Sequence, residues 1–186
     1  MLLKDRHVIL ASGSPRRIAI LKEDGVDFEI IKPGCKEDIH LDLSPAQTVM
    51  ALALRKGLAI GAQEDLVISC DTVVVNDGKV IGKPKDQEDA FNILSELRGK
   101  DHEVISGVCL IYEGKAHLFN AVTKVFFKDY SDEEIREYIA TGEPMDKAGA
   151  YAIQGLFGKY VDHIEGEYNN VVGFPYDAIK KHISEL

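Results

Sequence analysis

The sequence predicts an α/β fold, a mixed sheet flanked by helices, and three observations predict it. Short apolar, β-branched runs alternate with stretches of helical periodicity. The helical stretches open on capping signals, so local and global patterns agree. Apolar residues make up 45% of the 186 positions, enough to build a core in a single domain spanning residues 1–186.

The first strand is expected over His7–Ala11. Ser14-Pro15 then opens a helix, with Ser as N-cap and Pro at the first helical position. Ile18 and Leu21 give that helix its apolar face and Gly25 ends it. A strand through Phe28–Ile31 follows. Ser44-Pro45-Ala46-Gln47 repeats the start signal with a capping-box Gln, and the helix runs to about Gly61. Val67–Val75 is a continuous β-branched strand. Asn76-Asp77-Gly78 turns it into Lys79–Gly82. Asp86 starts a helix with Ala90, Phe91, Leu94 and Leu97 inward and Gly99 as its stop. His102–Tyr112 and Ala116–Phe127 read as strands joined at Glu113-Gly114. Ser131-Asp132-Glu133-Glu134 is a second capping box, opening a helix to Thr141. Small and polar residues dominate from Glu143 to Gly158. A strand over Lys159–Glu165 and a helix over Tyr176–Glu185 close the chain.

Composition excludes several classes. A net charge of -9 repels a nucleic-acid backbone, so no nucleic-acid partner is expected. No apolar run is long enough to cross a bilayer, so no membrane partner is expected either. The N-terminal stretch lacks the h-region and cleavage site of a signal peptide, which points to the cytoplasm. Cys35, Cys70 and Cys109 are too few and too widely spaced for a disulfide framework or a metal knuckle. Neither GxxxxGK, GxGxxG, HExxH nor GxSxG occurs, which removes the P-loop, Rossmann, zincin and nucleophile-elbow readings.

Four places break the local rules. In Ser12-Gly13-Ser14-Pro15-Arg16-Arg17, two arginines stand at a helix N-terminus, the wrong end for the helix dipole. An anion bound there would explain them, because strand, small-residue loop and helix start form a phosphate cradle. Solvated arginines on a capped helix are the alternative. Asp71 interrupts an apolar strand, where an unpaired charge is costly. It calls for a metal, a cation or a cleft edge. Lys56 falls on the inward side of its helix near Leu52 and Ile60, and Lys83 sits between Gly82 and Pro84. Each alone reads as a snorkelling surface lysine. In Asp146-Lys147-Ala148-Gly149-Ala150-Tyr151-Ala152-Ile153-Gln154-Gly155, small residues permit close backbone approach to a ligand, and Gln154 offers both a donor and an acceptor; by composition alone a tight packing loop is the favoured alternative.

In order along the chain, these segments resemble the Maf family. The S-x-S-P-R-R opening, Glu37, Lys56, Cys70-Asp71-Thr72-Val73-Val74 and Gly82-Lys83-Pro84 carry the likeness. So do Asp146–Tyr151, Ile153-Gln154-Gly155 and Val171-Val172-Gly173-Phe174-Pro175. Asn169 and Asn170 depart from the family's usual run. The resemblance implies an elongated mixed sheet with flanking helices, in two lobes around a central cleft, similar to inosine triphosphate pyrophosphatases. It implies hydrolysis of a nucleoside triphosphate to monophosphate and pyrophosphate, a divalent cation (Mg²⁺ or Mn²⁺) and, in many members, a homodimer. Glu37 and Asp71 are implied as metal ligands, with Asp71 activating water, and Lys56 and Lys83 complete the catalytic set. Ser12 and Arg16 are implied to bind phosphates, and Arg17, Thr72 and Gln154 to line the base side. Those last three resemble the branch acting on dTTP and UTP. A Gln amide also complements the acceptor–donor–acceptor edge of thymine and uracil. Hydrolysis of 7-methyl-GTP, or of inosine or xanthosine triphosphate, and a non-catalytic regulatory role in septum formation stay open at this stage.

Overall fold

A computed structural model describes residues 3–36, 38, 39, 42–61 and 65–186. The strands are β1 (Val8–Leu10), β2 (Phe28–Ile30), β3 (Leu66–Asn76), β4 (Lys79–Ile81), β5 (Asp101–Tyr112), β6 (Lys115–Phe127) and β7 (Val161–Glu165). The helices are α1 (Pro15–Glu23), α2 (Pro45–Leu58), α3 (Gln87–Leu97), α4 (Asp132–Ala140), α5 (Tyr168–Val172) and α6 (Tyr176–Glu185). The seven strands form one sheet in the order β2-β1-β3-β5-β6-β7, with β4 paired to β3. β1 pairs in parallel with both β2 and β3, while β4 and β7 pair antiparallel with β3 and β6. This mixture bears out the expected class. Among the described residues, no helix is long and apolar enough to cross a membrane.

The chain divides into two compact units. The first comprises Met1–Thr72, Ile105–Ala121 and Gly173–Leu186. Its short β1 is wholly buried (Val8, Ile9, Leu10), as expected for a strand paired on both sides in a parallel stretch. In α2 the predicted capping box forms: Ser44 Oγ accepts from Gln47 N, and Gln47 Oε1 accepts from Ser44 N. Two glycines let this helix lie flush on the sheet. A Cβ on Gly107 of β5 would stand 2.3 Å from the Val49 backbone, and one on Gly57 would stand 2.9 Å from Ser69 Oγ of β3. That close approach carries Lys56 down to the sheet surface.

The second unit comprises Val73–Val104 and Val122–Val172. Asp77 (φ 49°) and Gly78 (φ 74°) make the predicted hairpin between β3 and β4. Its core is aromatic. Phe127, Tyr130, Tyr138, Tyr151 and Phe157 pack with Leu94, Leu97 and Ile135. The Tyr130 hydroxyl is satisfied by the Leu94 carbonyl at 2.7 Å. Three short 3₁₀ turns, Glu143–Asp146, Ala148–Ala150 and Leu156–Tyr160, occupy the stretch whose small and polar residues gave no periodicity.

Several local expectations are corrected. Ser14 holds the N-cap position of α1, but its side chain makes no capping bond. Its backbone N–H donates to Ser12 Oγ at 3.2 Å instead. Ile20 and Leu21 are the buried residues of α1, and Ile18 is only half-buried. Lys159 and Tyr160 belong to a 3₁₀ turn rather than to β7, which starts at Val161. The five-residue α5 was not expected, because so short a segment carries no readable period.

Candidate active site

Strand β3 supplies the site's centre. Side chains alternate along a strand, so Ser69 and Asp71 share one face and Cys70 and Thr72 the other. The contacts follow that division. Ser69 Oγ donates to the Ala53 carbonyl of α2 at 2.7 Å. Two residues on, the Lys56 ammonium of the same helix donates to Asp71 Oδ1 at 2.6 Å. The Lys56 and Asp71 side chains are 11% and 15% exposed. Asp71 therefore answers the demand that a charge inside an apolar strand be paired. Lys56 is not a snorkelling surface lysine.

On the opposite face, Arg17 works as a clamp. Its Nε donates to the Gly173 carbonyl at 2.9 Å, and Nη1 to the Cys70 carbonyl at 2.6 Å and to Ser12 Oγ at 3.2 Å. Nη2 reaches Thr72 Oγ1 at 3.4 Å. One planar guanidinium thus ties the start of α1 to the middle of β3 and to the turn before α6. A fork of fixed donors suits that task, and a lysine would not. Arg16, one residue earlier, is exposed, because successive helical positions diverge by about 100°. The two arginines, which the resemblance had given to phosphate and to base, thus differ in setting: Arg17 is a clamp within the fold and Arg16 is exposed. Burial pushes the Cys70 thiol pKa up, so Cys70 packs as a neutral group beside Arg17.

Thr72 Oγ1 makes three more contacts, to the Gly173 carbonyl at 3.3 Å, to Ser106 Oγ of β5 at 2.8 Å and to Cys70 Sγ at 3.9 Å. Ser106 and Gly173 were not singled out as site residues. Ser106 gave a weak signal, a hydroxyl within an apolar strand run. The Gly173 contribution is a main-chain carbonyl, which no side-chain pattern announces. Its φ of 107° is one that glycine adopts without strain, and it turns the carbonyl towards Arg17 and Thr72.

Lys83 and Gln154 lie in the second unit, and both are exposed. There the Gly149 N–H donates to the Gly82 carbonyl at 3.1 Å, fastening the lysine-bearing segment to the loop that leads to Gln154. That loop is held by its own polar groups. Glu143 accepts from the Leu156 N–H at 3.1 Å and from the Tyr138 hydroxyl at 3.0 Å. Lys147 Nζ donates to the Glu143 carbonyl at 2.8 Å. Ala150 holds φ 60°, a costly conformation for alanine of the sort that gathers at functional loops. Glu37 lies outside the described residues. Among the described residues, no group of three or more His, Cys, Asp or Glu side chains is placed to hold a metal. An ion of the Mg²⁺ type asks for less, since one or two carboxylates suffice when substrate phosphates complete its shell.

A family model for Maf-like proteins matches residues 7–186, a span that holds every site residue named above. The chain belongs to the Maf family. Among relatives, a dTTP/UTP pyrophosphatase from Dictyoglomus turgidum (strain DSM 6724 / Z-1310) is 46% identical over 175 residues, covering 91% of each chain. A dTTP/UTP pyrophosphatase from Geobacillus sp. (strain WCH70) is 45% identical over 183 residues, covering 97% of this chain and 98% of the relative. Among solved structures, a HAM1 protein from Coxiella burnetii superposes with a TM-score of 0.51 at 12% identity, covering 97% of this chain and 100% of that one. At that identity the likeness speaks for the fold alone. Within the Maf frame, the segments quoted from the sequence fall on α1, α2, β3, the turn after β4, the 146–155 loop and the turn before α6.

Proposed function

We propose that this Maf-family chain hydrolyses dTTP and UTP to their monophosphates and pyrophosphate. The extent of the likeness carries the reading: relatives named dTTP/UTP pyrophosphatase match at 45–46% identity over more than nine-tenths of the chain. The local chemistry supports it. Asp71 is a carboxylate fixed through Oδ1 by Lys56, which leaves Oδ2 to take the proton of an attacking water. That water forms a new bond to the α-phosphorus, the α–β phosphoanhydride bond breaks, and pyrophosphate leaves.

Asp71 and Glu37 would hold Mg²⁺ or Mn²⁺, ions that prefer carboxylate and phosphate oxygens. Bound there, the ion would neutralise phosphate charge and acidify a water. Lys56, Lys83 and Arg16 would place positive charge against the triphosphate, with Ser12 and the loop N–H groups on its oxygens. Thr72 and Gln154 would face the base, and Arg17 would act there by holding Thr72 and the Gly173 carbonyl in place. Residence in the cytoplasm and assembly as a homodimer belong to the same proposal.

The test is pyrophosphate release from dTTP, UTP, CTP, ITP and 7-methyl-GTP, each with Mg²⁺ and with Mn²⁺. dTTP and UTP are expected to give the highest kcat/KM. Faster turnover of ITP or 7-methyl-GTP removes the pyrimidine assignment. Binding without release of pyrophosphate from any of the five removes catalysis and favours a regulatory role.

A further inference from the structure

Ser106 is fully buried, between Ile105 and Gly107 in the middle of β5. Among the described residues, the one hydrogen-bond partner of its side chain is Thr72 Oγ1, at 2.8 Å. A buried hydroxyl costs stability unless its partner returns the loss, and alanine would pack in its place. Thr72 is only partly buried, so it is the member of the pair that a ligand can touch.

The donors and acceptors around Thr72 fix which way the protons run. A threonine hydroxyl has one proton and two lone pairs. The Gly173 carbonyl, 3.3 Å away, can only accept, the Arg17 guanidinium, 3.4 Å away, can only donate, and the Cys70 thiol, 3.9 Å away, is a weak partner of either kind. Among the described residues the Ser106 proton has no other acceptor, so the arrangement that satisfies both hydroxyls has Ser106 donating to Thr72 and Thr72 donating to the Gly173 carbonyl. One lone pair of Thr72 is then filled by the short Ser106 bond. The other faces the long, weak contact from Arg17 and remains the place where a ligand N–H can bind.

We infer that Ser106 is a positioning residue that makes Thr72 an acceptor, and that the ligand group Thr72 receives is the N3–H of a thymine or uracil ring. Cytosine has no N3–H, so the arrangement selects UTP and dTTP against CTP. The inference rests on the proposed pyrophosphatase reading and adds to it the residue that sets the polarity of base recognition. Without Ser106, the Thr72 hydroxyl keeps only its longer contacts to Gly173, Arg17 and Cys70, and its lone pairs lose the short bond that directs them.

The experiment measures kcat/KM for UTP, dTTP and CTP in the wild type, Ser106→Ala, Thr72→Val and the double variant, with melting temperatures for all four. Ser106→Ala is expected to narrow the UTP-to-CTP ratio about fivefold to tenfold, the size of one neutral hydrogen bond, mostly through KM for UTP. The double variant is expected to match Thr72→Val, because Ser106 acts only through that hydroxyl. Ser106→Cys, which fills the space but donates weakly, is expected to fall with Ser106→Ala and stands in for it if the alanine variant does not fold. An unchanged ratio in Ser106→Ala or Ser106→Cys overturns the inference while leaving the pyrophosphatase reading intact. So does a double variant whose loss is the sum of the singles. A wild type that releases no pyrophosphate overturns that reading and this inference together.

Discussion

Lys56 Nζ sits 2.6 Å from Asp71 Oδ1, an ion pair between α2 and β3 with both side chains nearly out of solvent. Breaking such a pair from one side leaves an uncompensated charge. Lys56→Met is expected to cost about 3–5 kcal/mol of stability, read from denaturant midpoints. Asp71→Asn keeps an oxygen for the ammonium, so its cost is expected to be smaller, about 1–3 kcal/mol. Both variants are expected to lose activity for different reasons, Asp71→Asn because an amide cannot take the proton and Lys56→Met because the carboxylate loses the cation that orients it. A Lys56→Met protein as stable as the wild type shows that solvent already screens the pair. An Asp71→Asn protein with wild-type turnover removes Asp71 from the mechanism.

Arg17 donates to Gly173, Cys70, Ser12 and Thr72 from three nitrogens. Lysine keeps the charge and loses the fork. Arg17→Lys is expected to cost about 2–4 kcal/mol, corresponding to one or two charge-assisted bonds to carbonyls. Arg16→Lys, on the exposed neighbour, keeps the charge and is expected to lose less than Arg17→Lys, because contacts made in solvent are worth little. Thermal melts of the two single variants decide the matter. Equal losses would mean that Arg17 is no more a clamp than Arg16.

Gly173 and Gly107 are both expected to resist alanine, for different reasons. A Cβ at Gly173 meets nothing nearer than Thr72 Oγ1 at 3.6 Å. The penalty there is backbone strain at φ 107°, about 1–3 kcal/mol, and a carbonyl turned off Arg17. At Gly107 the Cβ would stand 2.3 Å from the Val49 backbone, so α2 must lift from the sheet. Gly107→Ala is therefore expected to be the more destabilised of the two in denaturant. Gly173→Ala is expected to lose more kcat/KM on dTTP than its own stability loss explains. The reverse order in either measurement contradicts the account.

The elements carrying the clearest physical signals were legible in the sequence. Both capping boxes form as written, at Ser44–Gln47 and Ser131–Glu134. Asp71 stood out as a charge in an apolar strand, and Lys56 as a cation on an inward helical position. The residues not assigned to the site lack such a signal. Ser106 is small and neutral, so nothing in an apolar run forces attention to it. Gly173 contributes through its carbonyl, and sequence does not say which carbonyls turn inward. Arg16 and Arg17 are identical in type and adjacent. The family resemblance gave them different roles, but that Arg17 is the one held by Gly173, Cys70 and Ser12 depends on the phase of α1 against β3, a tertiary fact.

His102 in β5 is 2% exposed, and its Nε2 lies 2.7 Å from the Tyr151 hydroxyl. Its ring packs against Phe127 at 5.0 Å between centroids, and among the described residues Nδ1 finds no partner. Burial lowers its pKa from 6.5 to about 4, against a smaller opposing pull from Asp101. The folded protein therefore keeps His102 neutral in a range where the unfolded chain takes up a proton. Stability is lost as pH falls from about 6.5 towards 4, by about 3 kcal/mol across that window. His102→Gln keeps a hydrogen-bonding group for Tyr151 and cannot titrate. Its stability at pH 7 is expected to be lower than that of the wild type by about 1–2 kcal/mol, from imperfect packing. Its decline towards pH 4.5 is expected to be shallower, so the two curves converge or cross. Denaturant midpoints at half-unit steps between pH 7 and 4.5 measure this directly, since the surface carboxylates are common to both proteins and cancel in the comparison. Parallel curves over that range would mean that His102 gains its proton as easily in the folded protein as in the unfolded chain.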